Sequence, residues 1–467
     1  MPPPSSPSEG SLFGGVFARG RVAAEVGDRA FLQAMLDTEA ALARASAKAG
    51  LVPVEAAEAI AAQCRAERFD PAELGALSAA AGNPVVPLVG QLADRLPPGV
   101  ADHVHAGATS QDVLDTAAML VARRALRPLL DDLAGAADAC AGLAAEHRGT
   151  LVAGRTLLQQ AVPVTFGLKA AGWLVGLDET RRRLAEVDRD GLAVQLGGAA
   201  GTLAAFGDRG LAVLGELSAE LGLAEPTVPW HAVRARPAAL ASALGACAGV
   251  LAKVARDVAL LAQTEVAEVR EGGGPGRGES SAMPHKRNPV AAVAVAACTA
   301  RVPGLVATVL GAMAQEHERA AGGWHAEWEP QRELLRLVGS AAAWSRELLD
   351  GLEVDPARMR ANLDAARGLP MAAAVVAALA GTLGPARARE LVDAAARRAA
   401  SGGLPLRDTL LEAPAVARHL GAAGVDRALD PERYLGAAQA PIDRALAAHL
   451  DASPGPEPRS TTPGELR

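Results

Sequence analysis

The 467-residue sequence is poor in the residues that build sheets and in the charge that binds nucleic acids. Aromatic residues make up only 3% of the chain, although 50% of it is apolar and alanine supplies much of that share. Alanine has the best helix propensity, whereas sheets need branched and aromatic side chains, so the composition favours closely packed helices. The formal net charge of −7 and the lack of a long basic run argue against a nucleic-acid-binding protein.

Cysteine is also scarce, and its spacing excludes the usual zinc-binding patterns. The sequence contains no CxxC pair and no cysteine–histidine pair, and each cysteine lies among small apolar residues. We therefore predict buried, reduced thiols and no metal site. The four cysteines are Cys64, Cys140, Cys247 and Cys298.

The sequence shows no secretory signal, because the opening "MPPPSSPSEGS" has neither a basic segment nor an apolar stretch. One run, Val290 to Ala314, is apolar enough to span a membrane, but it carries Arg301 and Pro303 near its middle. A helix buried on all sides within a bundle explains this run better than a membrane span does. We expect a soluble, cytoplasmic protein that binds neither membranes nor nucleic acid.

Almost everything between the two ends of the chain has a helical pattern, and helix length divides the chain into parts. The segment "GATSQDVLDT" opens a very long helix, and further long patterns follow it. From "EVDPARM" onwards the helices are short, and Asp355 can cap the first of them with Pro356 at its first position. The later long patterns cover roughly 163–189, 235–270, 288–317 and 328–351.

We predict an all-α fold with three helical domains, the middle one an elongated bundle of long helices. Both ends of the chain are rich in proline and serine and nearly devoid of large apolar residues, so we expect them to be disordered. The predicted domains are residues 1–107, of which about the first ten are disordered, 108–352 and 353–449, followed by a disordered tail at 450–467.

Polar, glycine-bearing segments interrupt the helices and mark a candidate site. Most lie at the ends of long helices, where unpaired backbone N–H groups and the helix dipole favour anions. In "GATSQD", Thr109, Ser110 and Gln111 supply the groups of a carboxylate-binding site, although an ordinary helix cap is the simpler interpretation of that segment alone. The other segments are "AGRTLLQQAVP", "QLGGAAGT", "PWHAVRAR" and "QEHERAAGGWHAEWE".

The stretch "GGGPGRGESSAMPHKRNP", Gly272 to Pro289, is harder to explain as a plain loop. Its glycines lose much conformational entropy on folding, so an inert connection of this composition is unfavourable. A mobile catalytic loop needs such glycines, together with a hydroxyl for the reacting carbon and an ammonium for negative charge. Phosphate binding is the other use of such loops, but no GxxxxGK[ST] motif is present.

"SSAMPHKRNP" resembles the signature of the fumarase/aspartase superfamily, commonly written GSSxMPxKxNP. "GATSQD", "GRTLLQQAVPVTFGLKAAGW" and "QLGGAAGT" also resemble superfamily segments, in the same order. The resemblance covers roughly residues 10–450 and implies three helical domains, a twenty-helix core in a homotetramer, and active sites that each draw on three subunits. It implies a small-molecule substrate and no cofactor.

The resemblance also implies roles for individual residues. Ser280 matches the loop serine that moves the proton α to a carboxylate, and Lys286 matches the loop ammonium. Glu279 departs from the usual glycine before the serine pair. A substrate with three negative charges would need several of the basic residues of these segments. The predicted substrate-binding residues are Thr109, Ser110, Gln111, Arg155, Thr156, Gln159, Arg234, Arg236, Met283, Arg287 and Asn288.

Leu157 is the most informative departure from the superfamily pattern. Superfamily lyases commonly read RTH where this chain has Arg155, Thr156 and Leu157, and that histidine assists the leaving group. Without it, expulsion of an amine or hydroxide would be slower by roughly 10²–10⁴-fold. Either the protein is an inactive scaffold, or its leaving group needs no proton. A carboxylate, whose acid has a pKa near 4, satisfies the second condition.

The surrounding segments resemble the muconate cycloisomerase branch of the superfamily more than the adenylosuccinate lyases. Asn83 and Leu157 stand where the latter have nucleotide-handling histidines, so an adenylosuccinate-lyase-like elimination is the weaker alternative. Gln160 and Val233 stand where cycloisomerases have histidine and glutamine. Four histidines have no assigned role and are equally consistent with caps or packing: His103, His105, His317 and His325.

Overall fold

The computed structural model describes residues 12–273 and 276–452 and is all-α, as predicted. Its helices divide into amino-terminal ones that are short except for one, central ones that are mostly long, and shorter carboxy-terminal ones. The predicted disorder at the start of the chain and at 453–467 lies outside the described residues, whereas residues 450–452 belong to the last helix. The predicted domain boundaries remain a prediction.

The amino-terminal part is built around one helix of 21 residues, α3, which packs against α4. Helix α3 ends at Lys48, shortly before the left-handed Gly50, which has a φ of 76°. The helices of this part are α1 (Gly14–Phe17), α2 (Val22–Glu25), α3 (Asp28–Lys48), α4 (Val54–Gln63), α5 (Pro71–Ala81), α6 (Val85–Ala93) and α7 (Pro98–Ala101).

The central part consists of long helices close to the predicted patterns. The longest, α8, has 37 residues and is therefore about 55 Å long at the usual rise of 1.5 Å per residue. Its apolar face is fully buried at Leu126, Leu129 and Leu133. The helices are α8 (Ser110–Glu146), α9 (Phe166–Glu186), α10 (Gly210–Leu221), α11 (Ala235–Leu261), α12 (Val290–Gly311) and α13 (Gly323–Asp350).

The carboxy-terminal helices are short and share a hydrophobic core of their own. Asp355 caps the first of them by accepting a hydrogen bond of 2.8 Å from the Arg358 N–H, which confirms the predicted start. Fully buried residues such as Val375, Val392 and Leu410 form the core. The helices are α14 (Pro356–Ala365), α15 (Ala372–Leu383), α16 (Pro385–Gly402), α17 (Leu406–Leu411), α18 (Pro414–Leu429) and α19 (Gln439–Ala452).

Two short antiparallel strand pairs interrupt the helices, and the sequence did not predict them. Strands β1 (Leu151–Thr156) and β2 (Gln159–Thr165) form a hairpin, and β3 (Val269–Glu271) pairs with β4 (Leu352–Val354). The polar residues of the first hairpin hide its strand alternation from sequence reasoning. Its register, Leu151 opposite Thr165 and Thr156 opposite Gln159, places a two-residue turn at its tip.

The chain divides into two compact units. The first contains residues up to 135 together with Glu179–Arg256 and Val290–Glu347, and the second contains Ala136–Asp178, Asp257–Pro289 and residues from 348 onwards. All four cysteines are free and buried, as predicted. Burial raises the pKa of the Cys64 thiol to about 12, so this thiol stays protonated at neutral pH.

Among the described helices, α11 and α12 are long and apolar enough to cross a membrane, with mean hydropathies of 1.7 and 1.8 over their most apolar windows. Only 50% and 39% of those windows are buried within the chain. The prediction that the Val290–Ala314 run is buried on all sides is therefore wrong for a single chain. Val293, which is 58% exposed, belongs to the uncovered surface of α12, and Arg301 forms an ion pair of 2.7 Å with Glu333.

We expect the protein to form a homotetramer, because other copies of the chain would cover the apolar surface that α11 and α12 leave open. Light scattering at micromolar concentration should give the mass of four chains. Val293→Asp should shift this mass towards smaller species, whereas Leu450→Asp, at an exposed position of α19, should not. A stable monomer of the unaltered protein would contradict the prediction.

Candidate active site

The predicted site residues fall into two groups, one in each unit. The first group surrounds the amino end of α8 and includes Thr109, Ser110 and Gln111. The second contains the loop from Gly272 to Pro289 and the β1–β2 hairpin. Each group is organised by buried carboxylates that sequence reasoning did not select.

Asp112, in the first turn of α8, connects three segments of the first unit. Its carboxylate accepts hydrogen bonds from the backbone N–H groups of Thr109 at 3.0 Å and of Gly197 and Gly198 at 2.9 Å each. His231 Nε2 lies 2.7 Å from the same carboxylate. Asp112 is 1% exposed, so these donors replace the water that the carboxylate loses. The "GATSQD", "QLGGAAGT" and "PWHAVRAR" segments are thereby held together.

Asp115, one turn further along α8, holds Arg234. The Arg234 guanidinium donates to Asp115 Oδ2 at 2.7 Å and Oδ1 at 3.0 Å, and to Glu327 Oε2 at 2.7 Å. Burial alone would lower the pKa of Arg234, but the two carboxylates outweigh burial and raise it. Arg234 is 2% exposed and its charge is already matched. The predicted role of Arg234 as a substrate cation stays a prediction, and we propose that Arg234 also positions the site.

Gln111 is also a structural residue in this geometry. It is fully buried, and its amide nitrogen donates to the His231 carbonyl oxygen at 2.8 Å and to Asp115 at 3.1 Å. Its amide oxygen accepts from Arg319 Nη1 at 2.9 Å. The amide of Gln111 thus already has protein partners, and its predicted contact with substrate stays a prediction. Thr109 and Ser110 are only half-buried, and within the described chain their hydroxyls have no hydrogen-bond partner.

Arg236 and the unassigned histidines are not brought together into one cluster. Arg236 Nη1 donates to the Gly191 carbonyl oxygen at 2.8 Å, and burial lowers its pKa. His105 Nδ1 lies 2.6 Å from the buried Glu39, which raises the pKa of His105 against the effect of burial. His325 packs its ring against Trp324 and Trp328, whereas His317 is exposed and His103 half-buried.

In the second unit, the loop between Gly278 and Asn288 is closed at its neck. The Gly278 carbonyl oxygen accepts from the Asn288 backbone N–H at 2.8 Å and from its side-chain amide at 3.1 Å. Glu279 pairs with Arg287 at 2.8 Å across the same neck. Gly278 has a φ of 67°, and a Cβ there would lie 2.4 Å from the Asn288 carbonyl oxygen, so the neck needs glycine.

Within this loop, two backbone N–H groups donate to the Ser280 hydroxyl. Its Oγ accepts from the backbone N–H groups of Met283 at 3.2 Å and Ala282 at 3.4 Å. Two donors directed at one hydroxyl oxygen favour its negatively charged form over its neutral form. Ser281 makes no such contact among the described residues. Lys286 is exposed and, within the described part of the chain, forms no ion pair.

The β1–β2 hairpin presents Leu157 and Leu158 at its tip. Both residues have left-handed backbones, with φ of 50° and 64°, and they are 97% and 71% exposed. A two-residue turn of this kind normally carries asparagine and glycine, so two leucines store strain of about 1–3 kcal/mol each. Thr156 and Gln159 flank the turn and are exposed. No titratable side chain is present at the tip.

Arg155 lies opposite Gln160, next to the pair that flanks the tip of this hairpin, and it is held by a buried carboxylate. Its Nη1 and Nη2 donate to Glu268 at 2.8 and 2.7 Å, and Glu268 is fully buried. The side-chain amide of Asn362 donates to the same carboxylate at 2.9 Å. Glu268 balances the charge of Arg155 in this arrangement. The predicted substrate-binding role of Arg155 stays a prediction.

Comparison with known proteins gives one consistent family. Residues 18–304 match the family described as lyase, and residues 368–445 match the family described as adenylosuccinate lyase C-terminus. A 3-carboxy-cis,cis-muconate cycloisomerase of Pseudomonas aeruginosa is 49% identical over 441 residues, which cover 94% of this chain and 96% of that protein. The chain belongs to the lyase family of the fumarase/aspartase superfamily.

Two further members of this superfamily bear on the function. A nitrosuccinate lyase of Streptomyces davaonensis is 49% identical over 91% of this chain and 92% of that protein. The crystal structure of a 3-carboxy-cis,cis-muconate lactonizing enzyme from Pseudomonas putida aligns with a TM-score of 0.89 and 44% identity, covering 95% of this chain and 100% of that one. The resemblance inferred from the loop motif is thus confirmed at the level of the family and the fold.

Sequence reasoning missed the carboxylates that organise both groups. Asp112 and Asp115 lie three residues apart in an otherwise apolar stretch of α8, a spacing that places both on one buried face. That spacing was the available clue. Glu268 and Glu327 had no comparable clue, because their partners lie 113 and 93 residues away in the chain.

Arg234→Leu should lower the free energy of unfolding by about 3–5 kcal/mol, because it leaves Asp115 and Glu327 buried without their cation. Urea unfolding at one fixed protein concentration measures this loss. Arg189→Leu is the control: its exposed pair with the neighbouring Asp190 should matter little. An unchanged stability of Arg234→Leu together with a raised KM would instead indicate the substrate-binding role.

Proposed function

We propose that the chain is a cycloisomerase that converts 3-carboxy-cis,cis-muconate to 4-carboxymuconolactone, a step of aromatic-compound catabolism in the protocatechuate branch of the β-ketoadipate pathway. The observation that carries this proposal is the exposed hairpin tip. There Leu157 stands where the superfamily resemblance leads us to expect the histidine that assists the leaving group. The identity of 49% to a 3-carboxy-cis,cis-muconate cycloisomerase supports the substrate class. We further propose a cytoplasmic homotetramer with composite active sites.

The proposed reaction needs one proton donor and one place for negative charge. A carboxylate of the substrate adds to the alkene and forms the carbon–oxygen bond of the lactone. The electron pair of the alkene moves onto the carbon α to another carboxylate, giving an aci-carboxylate. Ser280 then delivers its proton to that carbon and regains one from solvent. The backbone N–H groups of Met283 and Ala282 stabilise the Ser280 oxygen while its proton is absent.

In the proposed composite site, a loop cation and the groups at a helix end match the charge of the intermediate. Lys286 is the loop cation without an ion-pair partner among the described residues. The hydroxyls of Thr109 and Ser110, at the positive end of α8, are further candidates for a substrate carboxylate. In the reverse direction the lactone expels a carboxylate, which leaves as a stable anion. An acidic side chain at position 157 would therefore have no function in this step, because the leaving carboxylate needs no proton.

Elimination from nitrosuccinate is a second candidate, favoured by the same hairpin tip. Such an elimination expels nitrite, which like a carboxylate is a stable anion at neutral pH and needs no proton. The Streptomyces davaonensis nitrosuccinate lyase matches this chain with the same identity as the cycloisomerase does. Ser280 would act in this case as the base that removes the proton α to a carboxylate.

The two remaining alternatives are weaker. An adenylosuccinate-lyase-like elimination expels an amine, for which the hairpin offers no acid. The match to the adenylosuccinate lyase C-terminus lies at residues 368–445 and contains none of the predicted site residues. An inactive scaffold would have no need for the donors that surround the Ser280 hydroxyl.

One assay separates these functions. Purified protein is mixed with 3-carboxy-cis,cis-muconate, and loss of the diene absorbance is followed. A parallel reaction contains nitrosuccinate, with released nitrite as the readout. Turnover of the muconate supports the first proposal, and turnover of nitrosuccinate alone supports the second. Turnover of neither would overturn both.

Ser280→Ala should abolish turnover while the fold and the assembly stay intact, because the hydroxyl contributes a proton and little packing. Ser281→Ala is the matched control and should keep most of the activity, since its hydroxyl lacks the two backbone donors. Circular dichroism and light scattering check the fold. If Ser281→Ala is the inactive variant, the assignment of the serine pair is wrong.

Leu157→His should give no rate gain in cycloisomerisation, because the reverse reaction expels an anion that needs no acid. The unaltered protein should likewise not convert malate, argininosuccinate or adenylosuccinate to fumarate, because the leaving groups of these compounds need a proton. Steady-state rates with each compound test this. Efficient cleavage of any of them by the unaltered protein would show that another group supplies the missing proton.

A further inference from the structure

The loop contains an ion pair that the superfamily pattern does not have. Glu279 replaces the usual glycine before the serine pair, and its carboxylate lies 2.8 Å from Arg287 Nη1. Arg287, together with a hydrogen bond from the Gly276 N–H, holds the pKa of Glu279 below its usual value. The carboxylate is thus ionised at neutral pH and adds one negative charge beside Ser280.

The Glu279–Arg287 ion pair changes the net charge of the loop but is not needed to hold the loop in its conformation. The two hydrogen bonds from Asn288 to the Gly278 carbonyl oxygen close the neck independently of Glu279. Both partners are about half exposed, at 50% and 56%, so their ion pair contributes little to stability. The main effect of the pair is electrostatic. The negative charge of Glu279 cancels the positive charge of Arg287, so the charge of Lys286 remains as the net charge of this segment.

We propose that Glu279 is a specificity-determining residue: it masks the charge of Arg287 and so reduces the preference of the site for tricarboxylates over dicarboxylates. This inference rests on the proposed function, because it requires the loop to lie beside a bound substrate that carries several carboxylates. It replaces the predicted direct contact between Arg287 and substrate.

Glutarate and tricarballylate are suitable probes, because they differ by one carboxylate. Their binding is measured by calorimetry for the unaltered protein, Glu279→Gln, Arg287→Gln and the double variant. Glu279→Gln should favour tricarballylate over glutarate by a further two- to fivefold at low salt, the size expected for one extra charge some 8 Å away in a solvated site. The gain should disappear near 0.5 M salt.

The double variant separates masking from direct contact. If Glu279 masks Arg287, Arg287→Gln should weaken tricarballylate binding by a similar factor, and the double variant should bind like the unaltered protein. If Arg287 contacts the substrate directly, the double variant should bind tricarballylate more than tenfold more weakly, which would overturn the inference.

The ion pair between Arg270 and Glu353 provides the control. Both pairs are exposed and line the same cleft of 940 Å³, but Arg270 and Glu353 belong to the β3–β4 pair rather than to the loop. Glu353→Gln changes the net charge by the same amount and should leave the preference unchanged. An equal effect of Glu353→Gln, or an unchanged preference in Glu279→Gln, would contradict the inference. Absence of binding of either acid to the unaltered protein would count against the proposed function instead.

Discussion

The arrangement of the first unit depends on two carboxylates, Asp112 and Asp115, that are buried one turn apart on α8. A buried carboxylate is strongly unfavourable unless donors surround it. Asp112 meets this requirement with three backbone N–H groups and His231, and Asp115 meets it with Arg234. Because these donors come from separate loops, satisfying the two charges fixes where each loop lies. The positive end of α8 carries the half-buried hydroxyls of Thr109 and Ser110, which form no hydrogen bond among the described residues.

The same constraint explains how the basic residues are used. Arg234 and Arg155 are each bound by buried carboxylates, so they hold the architecture of their units. A cation that is matched in this way attracts a substrate only weakly. Arg287 is matched too, but by an exposed carboxylate, Glu279. We propose that positive charge for a substrate comes mainly from Lys286 and from helix ends, whose N–H groups carry partial charge.

The chemistry of the site follows from where protons can be moved. The Ser280 oxygen has two backbone donors, which favour its deprotonated form, whereas the hairpin tip has only leucines. We propose that Ser280 transfers a proton at the carbon α to a carboxylate and that the hairpin tip supplies no proton to the leaving group. A site with a proton-transferring serine and no acid for the leaving group favours substrates whose leaving group is a stable anion. The strained backbone of Leu157 and Leu158 is consistent with a functional position, since such conformations persist where the surrounding structure requires them.

Local features of the sequence were enough to determine the helical fold, the long central helices, the Asp355 cap and the loop motif. Each of these depends on residues that are neighbours in the chain, through helix propensity, capping or a contiguous motif. The partners of Arg234 and Arg155, the β1–β2 hairpin and the exposure of Leu157 were decided by the tertiary structure. Arg234 and Asp115 are 119 residues apart, and no local pattern tells which of many carboxylates a buried cation will meet. Charge pairing acts through space, and the fold alone determines which charges become neighbours.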